Sequence, residues 1–264
     1  MQMNKIMAVW GNPNSGKTSF SIKLAKELTR RKKNVILIFC DAETPTISTV
    51  LPFVDTGDQS LGDLLSAVSI TQDSILQKCM PVRGDKYLSV MSYLHGENER
   101  TYAQYNKERI VDLLILLKHL ADHIIIDCSS HVHQDLLSRT ALELSDQVVR
   151  LITPDLKALS YYDASLPLLS ERKYNLSKQL TVLSNVKAEM PKDIVANKFR
   201  GVHYELTHST ELEQQFLEAR LFEVLVEKSS KPYNTTVEEI TKTLIGEADT
   251  PERKKLFMKR GEAS

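Results

Sequence analysis

An eight-residue run near the N-terminus constrains this chain more than any other feature, because it carries glycine, lysine and threonine at fixed positions. The run has the pattern Gly-x4-Gly-Lys-Thr and reads Gly11, Asn12, Pro13, Asn14, Ser15, Gly16, Lys17 and Thr18. A short apolar stretch at 6–10 precedes it, and an amphipathic helical pattern at 18–31 follows it. This order of strand, glycine loop and helix is the context in which the pattern predicts a phosphate-binding P-loop. The alternative is a chance match in an ordinary glycine turn.

Each residue type in the run suits a polyphosphate. Glycine at 11 and 16 lets the backbone turn tightly and approach a ligand without a Cβ clash, so that consecutive N–H groups and the helix N-terminus point at the phosphates. Lys17 is expected to neutralise the β- and γ-phosphates, and the Thr18 hydroxyl to bind Mg²⁺. The predicted ligands are therefore ATP or ADP with Mg²⁺, bound by Gly11, Asn12, Pro13, Asn14, Ser15, Gly16, Lys17, Thr18 and Ser19.

Short apolar runs alternate with longer helical patterns along the chain. The clearest runs of strand length are 6–10, 34–40, 123–128, 147–153 and 180–184, with a further strand at 87–93. Helices are predicted at 18–31, 61–68, 71–78, 110–120, 156–170, 209–218 and 237–245. The alternation predicts an α/β fold, doubly wound, with a mainly parallel sheet and helices on both faces. No linker divides the chain, so the prediction is one nucleotide-binding domain at 1–246 and a basic tail at 247–264.

The composition is that of an ordinary globular protein. Lys+Arg and Asp+Glu both total 34 among 264 residues, so no net charge draws the chain toward nucleic acid or anionic lipid. DNA binding is therefore not favoured, although basic residues at 30–33 or 192–200 leave a local patch open. The three cysteines have no paired spacing and are expected to be buried thiols in a reducing compartment. No signal peptide and no run of ~20 apolar residues is found, which predicts a cytoplasmic protein.

Three carboxylates follow predicted strands, where a magnesium-bound nucleotide would need them. Asp127 closes the apolar run 124–126 and matches the second acidic motif of P-loop enzymes; a buried structural carboxylate is the alternative. Asp41 and Glu43 follow the run at 34–40, and one residue between them suits two carboxylates facing one ligand. One is expected to hold a metal-bound water and the other to orient the attacking water; alternatively they cap the turn near Pro45.

Four stretches together resemble the ParA/MinD branch of P-loop ATPases, of the SIMIBI class. They are the loop at 11–18, Cys40-Asp41-Ala42-Glu43, Ile125-Ile126-Asp127-Cys128-Ser129-Ser130, and Ser145-Asp146-Gln147-Val148-Val149 leading to Thr153-Pro154. The resemblance extends from residue 6 to about residue 244. It implies that Lys17 and Thr18 take the phosphate and magnesium roles, and that Asp41 and Asp127 hold the metal through water.

The resemblance also assigns roles to two residues outside the loop. Glu43 falls where the family has the Asp that positions the hydrolytic water. Asn185, after the run at 180–184, falls where the family contacts adenine; an ordinary turn residue is the alternative. The implied catalytic residues are thus Lys17, Asp41 and Glu43.

One departure from the family pattern bears on hydrolysis. The family has a signature lysine directly after the first glycine, which reaches the partner's nucleotide across a dimer, and here that position is Asn12. Loss of a cation at the developing phosphoryl charge costs several orders of magnitude in related reactions. Slow hydrolysis, or a charge supplied elsewhere, is therefore expected.

The resemblance implies a slow Mg-ATPase that forms a nucleotide-dependent homodimer and positions or regulates a protein partner of secretion, pilus, partitioning or division machinery. The segments 61–65 and 210–212 resemble the CpaE/TadZ group of pilus and secretion proteins. A nucleotide-gated scaffold with little or no hydrolysis is the second hypothesis, favoured by Asn12. A small-molecule kinase and a metal-centre assembly factor are further alternatives, the latter disfavoured because Cys-x-x-Cys is absent.

Two smaller features carry further expectations. The tail places Leu256, Phe257 and Met258 between basic residues, which suits a peripheral membrane contact at an anionic surface; a solvated tail is the alternative. Those basic residues are Arg253, Lys254, Lys255, Lys259 and Arg260.

His131 and His133 follow the run that ends at Asp127, and are expected to be polar loop residues and not a metal pair, because no cluster of ligands accompanies them.

Overall fold

The structure, a computed structural model, describes residues 5–52, 54, 56–176, 179–199 and 201–247. These residues contain one eight-stranded sheet. Its strands are β1 (Lys5–Gly11), β2 (Val35–Phe39), β3 (Met80–Pro81), β4 (Leu88–Ser92), β5 (His123–Asp127), β6 (Gln147–Ile152), β7 (Leu180–Val186) and β8 (Tyr204–Thr207).

The strand order is β3-β4-β2-β5-β1-β6-β7-β8, and every neighbouring pair is parallel except β3 with β4. The predicted doubly wound, mainly parallel fold is thereby confirmed. Strand β1 is central, with β5 on one side and β6 on the other. The order of the strands reverses around β1, and ligands of open α/β sheets bind outside the carboxyl ends of the strands at such a switch point.

Ten α-helices connect these strands or pack on the sheet in the described residues. They are α1 (Lys17–Arg30), α2 (Ile47–Val50), α3 (Leu61–Ser66), α4 (Gln72–Lys78), α5 (Lys107–Leu117), α6 (Leu136–Leu144), α7 (Leu156–Ser165), α8 (Lys192–Lys198), α9 (Thr210–Leu217) and α10 (Lys231–Ile245). Side-chain caps start several of them: Asn106 accepts from Arg109 N at α5, and Asp135 accepts from Leu137 N and Ser138 N at α6. Such caps satisfy amide groups that the first helical turn leaves open.

Some boundaries differ from the sequence prediction for local reasons. Helix α7 ends at Ser165, and a 3₁₀ turn, Leu166–Leu169, replaces its expected last turn. Pro167 lies in that turn, and proline lacks the N–H that a helix interior needs. Helices α2, α6 and α8 and the edge strands β3 and β8 were not predicted, because their apolar residues do not repeat clearly at a helical or strand period.

The core lies on both faces of the sheet, as the apolar runs predict. Alternate residues of β1 belong to different apolar clusters: Ile6, Ala8 and Trp10 to one, Met7 and Val9 to the other. Successive strand side chains point to opposite faces, so this division places helices on both sides. The three cysteines are free and buried, which confirms the prediction of buried thiols. Within the described ranges, no helix is both long enough and apolar enough to span a bilayer.

Candidate functional site

The conformation and packing of the loop between β1 and α1 depend on its two glycines. A Cβ on Gly11 would lie 2.4 Å from the carbonyl oxygen of Leu151 in β6 and 2.7 Å from Ser15 Oγ. Gly16 has φ +77° and Asn14 has φ +60°, both in the left-handed region. Glycine at 11 is therefore required by close packing on β6, whereas glycine at 16 is favoured by its backbone conformation.

The loop carries backbone amides and the N-terminus of α1 at the position where a ligand would bind. No side chain caps the N-terminus of α1 at Gly16. The first amides of a helix lack partners within the helix, and successive N–H groups in a left-handed turn form a concave anion site. These amides are therefore suited to an anionic ligand.

The Lys17 ammonium lies over the same loop. Its Nζ is 2.7 Å from Ser130 Oγ and 3.4 Å from the carbonyl oxygen of Asn12. Burial lowers the pKa of Lys17, and the nearby acidic groups Asp127 and Asp41 oppose that shift. A nearby anion stabilises the charged form of a buried lysine. The buried ammonium of Lys17 therefore favours binding of a phosphate.

Asp127, Thr18 and Ser21 form a buried polar group beside the loop. The Thr18 hydroxyl donates to Asp127 Oδ2 over 2.6 Å, and the Ser21 hydroxyl to Asp127 Oδ1 over 3.2 Å. These side chains come together because of the register between β1 and β5, in which Asp127 at the end of β5 lies opposite Val9 of β1. Burial raises the pKa of Asp127 to about 6, although Thr18, Lys17 and Ser21 favour its charged form. A divalent cation would relieve that cost.

The two carboxylates after β2, Asp41 and Glu43, have different partners. Asp41 Oδ1 accepts from the backbone N–H groups of Glu43 and Thr44, at 3.0 and 2.8 Å, and so forms the turn cap that was the alternative for this residue. Asp41 still contributes to the charges at Lys17 and Asp127. Glu43 is half-exposed, and its Oε2 lies 3.1 Å from His131 Nδ1.

Asn12, at the position of the signature lysine, is directed into the protein. It is 4% exposed, its Nδ2 donates to Thr153 Oγ1 over 2.9 Å, and its Oδ1 accepts from Thr153 N over 3.1 Å. Nδ2 also donates to the carbonyl oxygen of Pro13 over 2.9 Å. The side chain thus joins the glycine loop to the end of β6 and is not free to extend outward.

The other residues predicted to bind the nucleotide lie in the loop, in the first turn of α1 and near the end of β7. Pro13 and Asn14 are exposed at the tip, Ser15 is buried beneath it, and Ser19 lies in the first turn of α1. Asn185 is exposed near the end of β7 with φ +54°, and its Oδ1 is 2.7 Å from His208 Nδ1. Because β6 separates β7 from β1, Asn185 lies at the same sheet edge as the loop but two strands away.

Sequence reasoning missed the partners that hold this site together. Ser130 contacts Lys17, and Thr153 contacts Asn12. Asp135 caps α6, and the negative charge of nearby Asp41 raises the pKa of Asp135. Burial is the larger cause of the raised pKa of Asp135. An Asp two residues before the Leu-Ser pair of α6 is a recognisable cap signal, whereas nothing local in sequence marks the other two contacts.

The residues present fit a magnesium-bound nucleotide. No atom lies within 4 Å of the position that a Cβ on Gly16 would take, which leaves open space beside Lys17 at the start of α1. The donors nearest a metal are the oxygens of Thr18 and Asp127, which Mg²⁺ prefers. In the part of the chain that the structure describes, no three His, Cys, Asp or Glu side chains form a metal cage. Mg²⁺ needs none, since it usually takes its other ligands from phosphates and water.

Comparison with known proteins agrees with this geometry. Residues 5–183 match the family described as AAA domain. The septum site-determining protein MinD of Synechocystis sp. is 27% identical over 189 residues, which are 71% of this chain and 67% of the relative.

Among solved structures, the MinC:MinD cell division protein complex of Aquifex aeolicus superposes with a TM-score of 0.71 at 14% identity, covering 94% of this chain and 99% of that one. MinD of Pyrococcus horikoshii complexed with Mg-ADP superposes with a TM-score of 0.68 at 13% identity, covering 91% and 95%. Because the family match covers more than half of the sequence, the chain belongs to the AAA domain family, and it is a P-loop ATPase of the ParA/MinD type.

Proposed function

We propose that this chain binds ATP and ADP with Mg²⁺ at the glycine loop and hydrolyses ATP slowly. The observation that carries the proposal is the juxtaposition of Lys17 with the Thr18–Asp127 pair, 2.6 Å apart, at an uncapped helix N-terminus. A partly buried ammonium and a buried carboxylate that hydrogen bonds to a threonine are what an anionic phosphate chain and its cation require. The Mg-ADP bound by MinD of Pyrococcus horikoshii supports the choice of ligand.

Each residue of the site has a distinct part in this proposal. The loop amides and Lys17 would bind and orient the phosphates, Thr18 would hold the metal directly, and Asp41 and Asp127 would hold it through water. When bound, Mg²⁺ neutralises charge on the β- and γ-phosphates. Asp41 fixes the turn that carries Glu43 and adds negative charge near the metal. Glu43 orients the attacking water, and Asn185 contacts the base.

Dimerisation and a protein partner extend the proposal. ATP brings two copies together, and the cycle positions or regulates an assembly of the secretion, pilus, partitioning or division type. The MinC:MinD complex of Aquifex aeolicus supports a protein partner for this fold. The ATPase domain at 1–246 carries this activity. The membrane contact assigned to Arg253–Lys255 and Lys259–Arg260 lies outside the described residues and remains part of the proposal, as does the likeness to the CpaE/TadZ group.

A second candidate function follows from Asn12. Its amide makes three hydrogen bonds inside its own subunit, two of them to Thr153. It therefore supplies no charge to a partner's nucleotide, and without that charge turnover slows. The second candidate is a nucleotide-gated scaffold that stays in its ATP-bound form and presents a surface to its partner.

Titration calorimetry with ATP and with ADP, each with Mg²⁺, tests the binding site. Replacing Lys17 with Ala is expected to weaken affinity by about 10- to 100-fold, the range for hydrogen bonds to a charged group. Lys86→Ala is the matched control. Lys86 lies over the Tyr87 ring before β4, at the opposite end of the strand from the loop, and is expected to change affinity less than about twofold. Unchanged affinity in Lys17→Ala would refute the site.

Phosphate release and oligomeric state separate the two candidate functions. A slow ATPase releases phosphate, loses that activity in Glu43→Ala while retaining nucleotide affinity, and returns to monomer as ATP is consumed. A gated scaffold forms the same oligomer with ATP and with a non-hydrolysable analogue, and keeps it in ATP indefinitely. An oligomeric state that is identical in ADP and ATP contradicts nucleotide-dependent dimerisation under either function.

A further inference from the structure

A histidine from the loop after β5 contacts the predicted water-orienting carboxylate. His131 Nδ1 lies 3.1 Å from Glu43 Oε2, and the two side chains are 51% and 56% exposed. The loop after β2 supplies one partner and the loop after β5 supplies the other. Strands β2 and β5 are neighbours, with Phe39 opposite Asp127, so both loops leave the same edge of the sheet beside the phosphate loop.

The backbone around His131 is held at several points. Ser129 Oγ accepts from the His131 N–H over 3.1 Å, and the His131 carbonyl accepts from Gln134 N and Asp135 N at 2.8 and 3.0 Å. The preceding residue, Ser130, is held at its hydroxyl by Lys17 and at its carbonyl by the Tyr161 hydroxyl, both over 2.7 Å. The imidazole therefore extends from a fixed stretch of chain, which contacts the phosphate-binding lysine directly.

Glu43 is fixed at its backbone but not along its side chain. Its N–H donates to Asp41 Oδ1. Within the described part of the chain, the Glu43 carboxylate makes its polar contact with His131. A glutamate has one more rotatable bond than an aspartate, so holding its carboxylate in one place costs more conformational entropy.

We propose that His131 is a positioning residue for ATP hydrolysis, holding Oε2 of Glu43 so that Oε1 faces the attacking water. This inference rests on the proposed function, in which Glu43 orients that water. The contact joins Nδ1 of the imidazole to Oε2 of the carboxylate, and no covalent bond changes in it. Correct orientation of a reactive pair lowers the barrier because the ordering is completed before the reaction. The extra length of Glu43 is thus restrained by a partner from the neighbouring loop.

Phosphate release at saturating ATP, measured beside nucleotide affinity by calorimetry, tests this role. His131→Ala is expected to lower kcat by about three- to fivefold, the effect of one exposed contact between an imidazole and a carboxylate, with affinity unchanged. His131→Asn keeps a polar donor near the Nδ1 position and is expected to retain at least about half of the wild-type rate, because a donor still faces the Glu43 carboxylate. His133→Ala, two residues along the same loop, is the matched control and leaves both quantities unchanged.

A double-mutant cycle distinguishes positioning from a general loss of structure. If His131 acts through Glu43, His131→Ala causes a smaller fold loss of kcat in the Glu43→Asp background, whose shorter side chain withdraws the carboxylate from His131, than in the wild type, because interacting residues are not additive. A wild-type kcat in His131→Ala, or the same fold loss of kcat in the wild type and in Glu43→Asp, overturns the inference. Wild-type binding without phosphate release overturns it together with the ATPase hypothesis, whereas absence of nucleotide binding overturns the proposed site itself.

Discussion

Asn12 and Thr153 hold each other by a reciprocal pair of hydrogen bonds, amide nitrogen to hydroxyl over 2.9 Å and amide oxygen to backbone N–H over 3.1 Å. The two residues are 141 positions apart in the chain. They join the phosphate loop to the exit of β6, at the centre of the sheet. The asparagine at this position thus has a structural partner in its own subunit.

Replacing Asn12 with Ala is expected to lower the free energy of unfolding by about 1–3 kcal/mol, because the buried Thr153 groups lose their partner. Urea denaturation measures the change. Asn197→Ala, on the exposed surface of α8, is the control and is expected to cost less than about 0.5 kcal/mol. Equal stability of Asn12→Ala and Asn197→Ala would show that the pair contributes nothing to the fold.

Replacing Asp127 with Asn is expected to stabilise the ligand-free protein and to remove the magnesium dependence of nucleotide affinity. Burial raises the pKa of Asp127 to about 6, so its ionisation at neutral pH costs more in the folded state than in the unfolded chain. An uncharged amide of the same shape avoids that cost, which is on the order of 1–3 kcal/mol. Thermal unfolding without ligand, and calorimetry with and without Mg²⁺, provide the measurements. A destabilised Asp127→Asn protein contradicts this account of the carboxylate.

His123 makes the stability of the fold depend on pH. It is 1% exposed, neither ring nitrogen has a hydrogen-bond partner in the described part of the protein, and burial lowers its pKa to about 4. The unfolded chain, with a histidine pKa near ~6.5, binds the proton first. Stability from the neutral ring is therefore complete above pH ~6.5 and is lost as the pH falls toward 4, by up to roughly 3 kcal/mol.

Comparison of unfolding free energies at pH 7 and 5 in the wild type and in His123→Leu measures this effect. Other groups titrate in the same range, and the difference between the two proteins isolates His123. His119→Leu changes an exposed histidine four residues earlier and is the control. The expected outcome is a smaller loss of stability at pH 5 in His123→Leu alone; parallel pH profiles for all three proteins would contradict it.

Alanine at the two loop glycines is expected to act through different mechanisms. At Gly11 the new Cβ would lie 2.4 Å from a backbone oxygen of Leu151, so β1 and β6 would have to separate. At Gly16 no atom lies within 4 Å, and only the left-handed backbone, φ +77°, opposes the substitution. That conformation costs about 1–2 kcal/mol, and Gly11→Ala is expected to cost more. A thermal melt in which Gly16→Ala is the less stable variant would reverse this order.

Much of the fold and of the phosphate loop could be predicted because the relevant interactions are local. The loop, its strand and its helix are contiguous, and apolar runs mark the buried strands. Asp127 was predicted because a carboxylate directly after a buried parallel strand lies at the sheet edge where ligands bind. The shorter elements α6, α8 and β8 were not predicted, since neighbours in space, and not local periodicity, stabilise them.

The sequence by itself determined the α/β architecture, the phosphate loop and the residue types that suit a magnesium nucleotide, since each depends on local pattern and chain direction. Only the tertiary structure decided that Asn12 turns inward to Thr153, that Ser130 reaches Lys17 from 113 residues away, and that His131 meets Glu43. These contacts depend on strand order and register, which bring distant loops to one edge of the sheet. Side-chain direction at that edge is set by neighbours that are not adjacent in the chain.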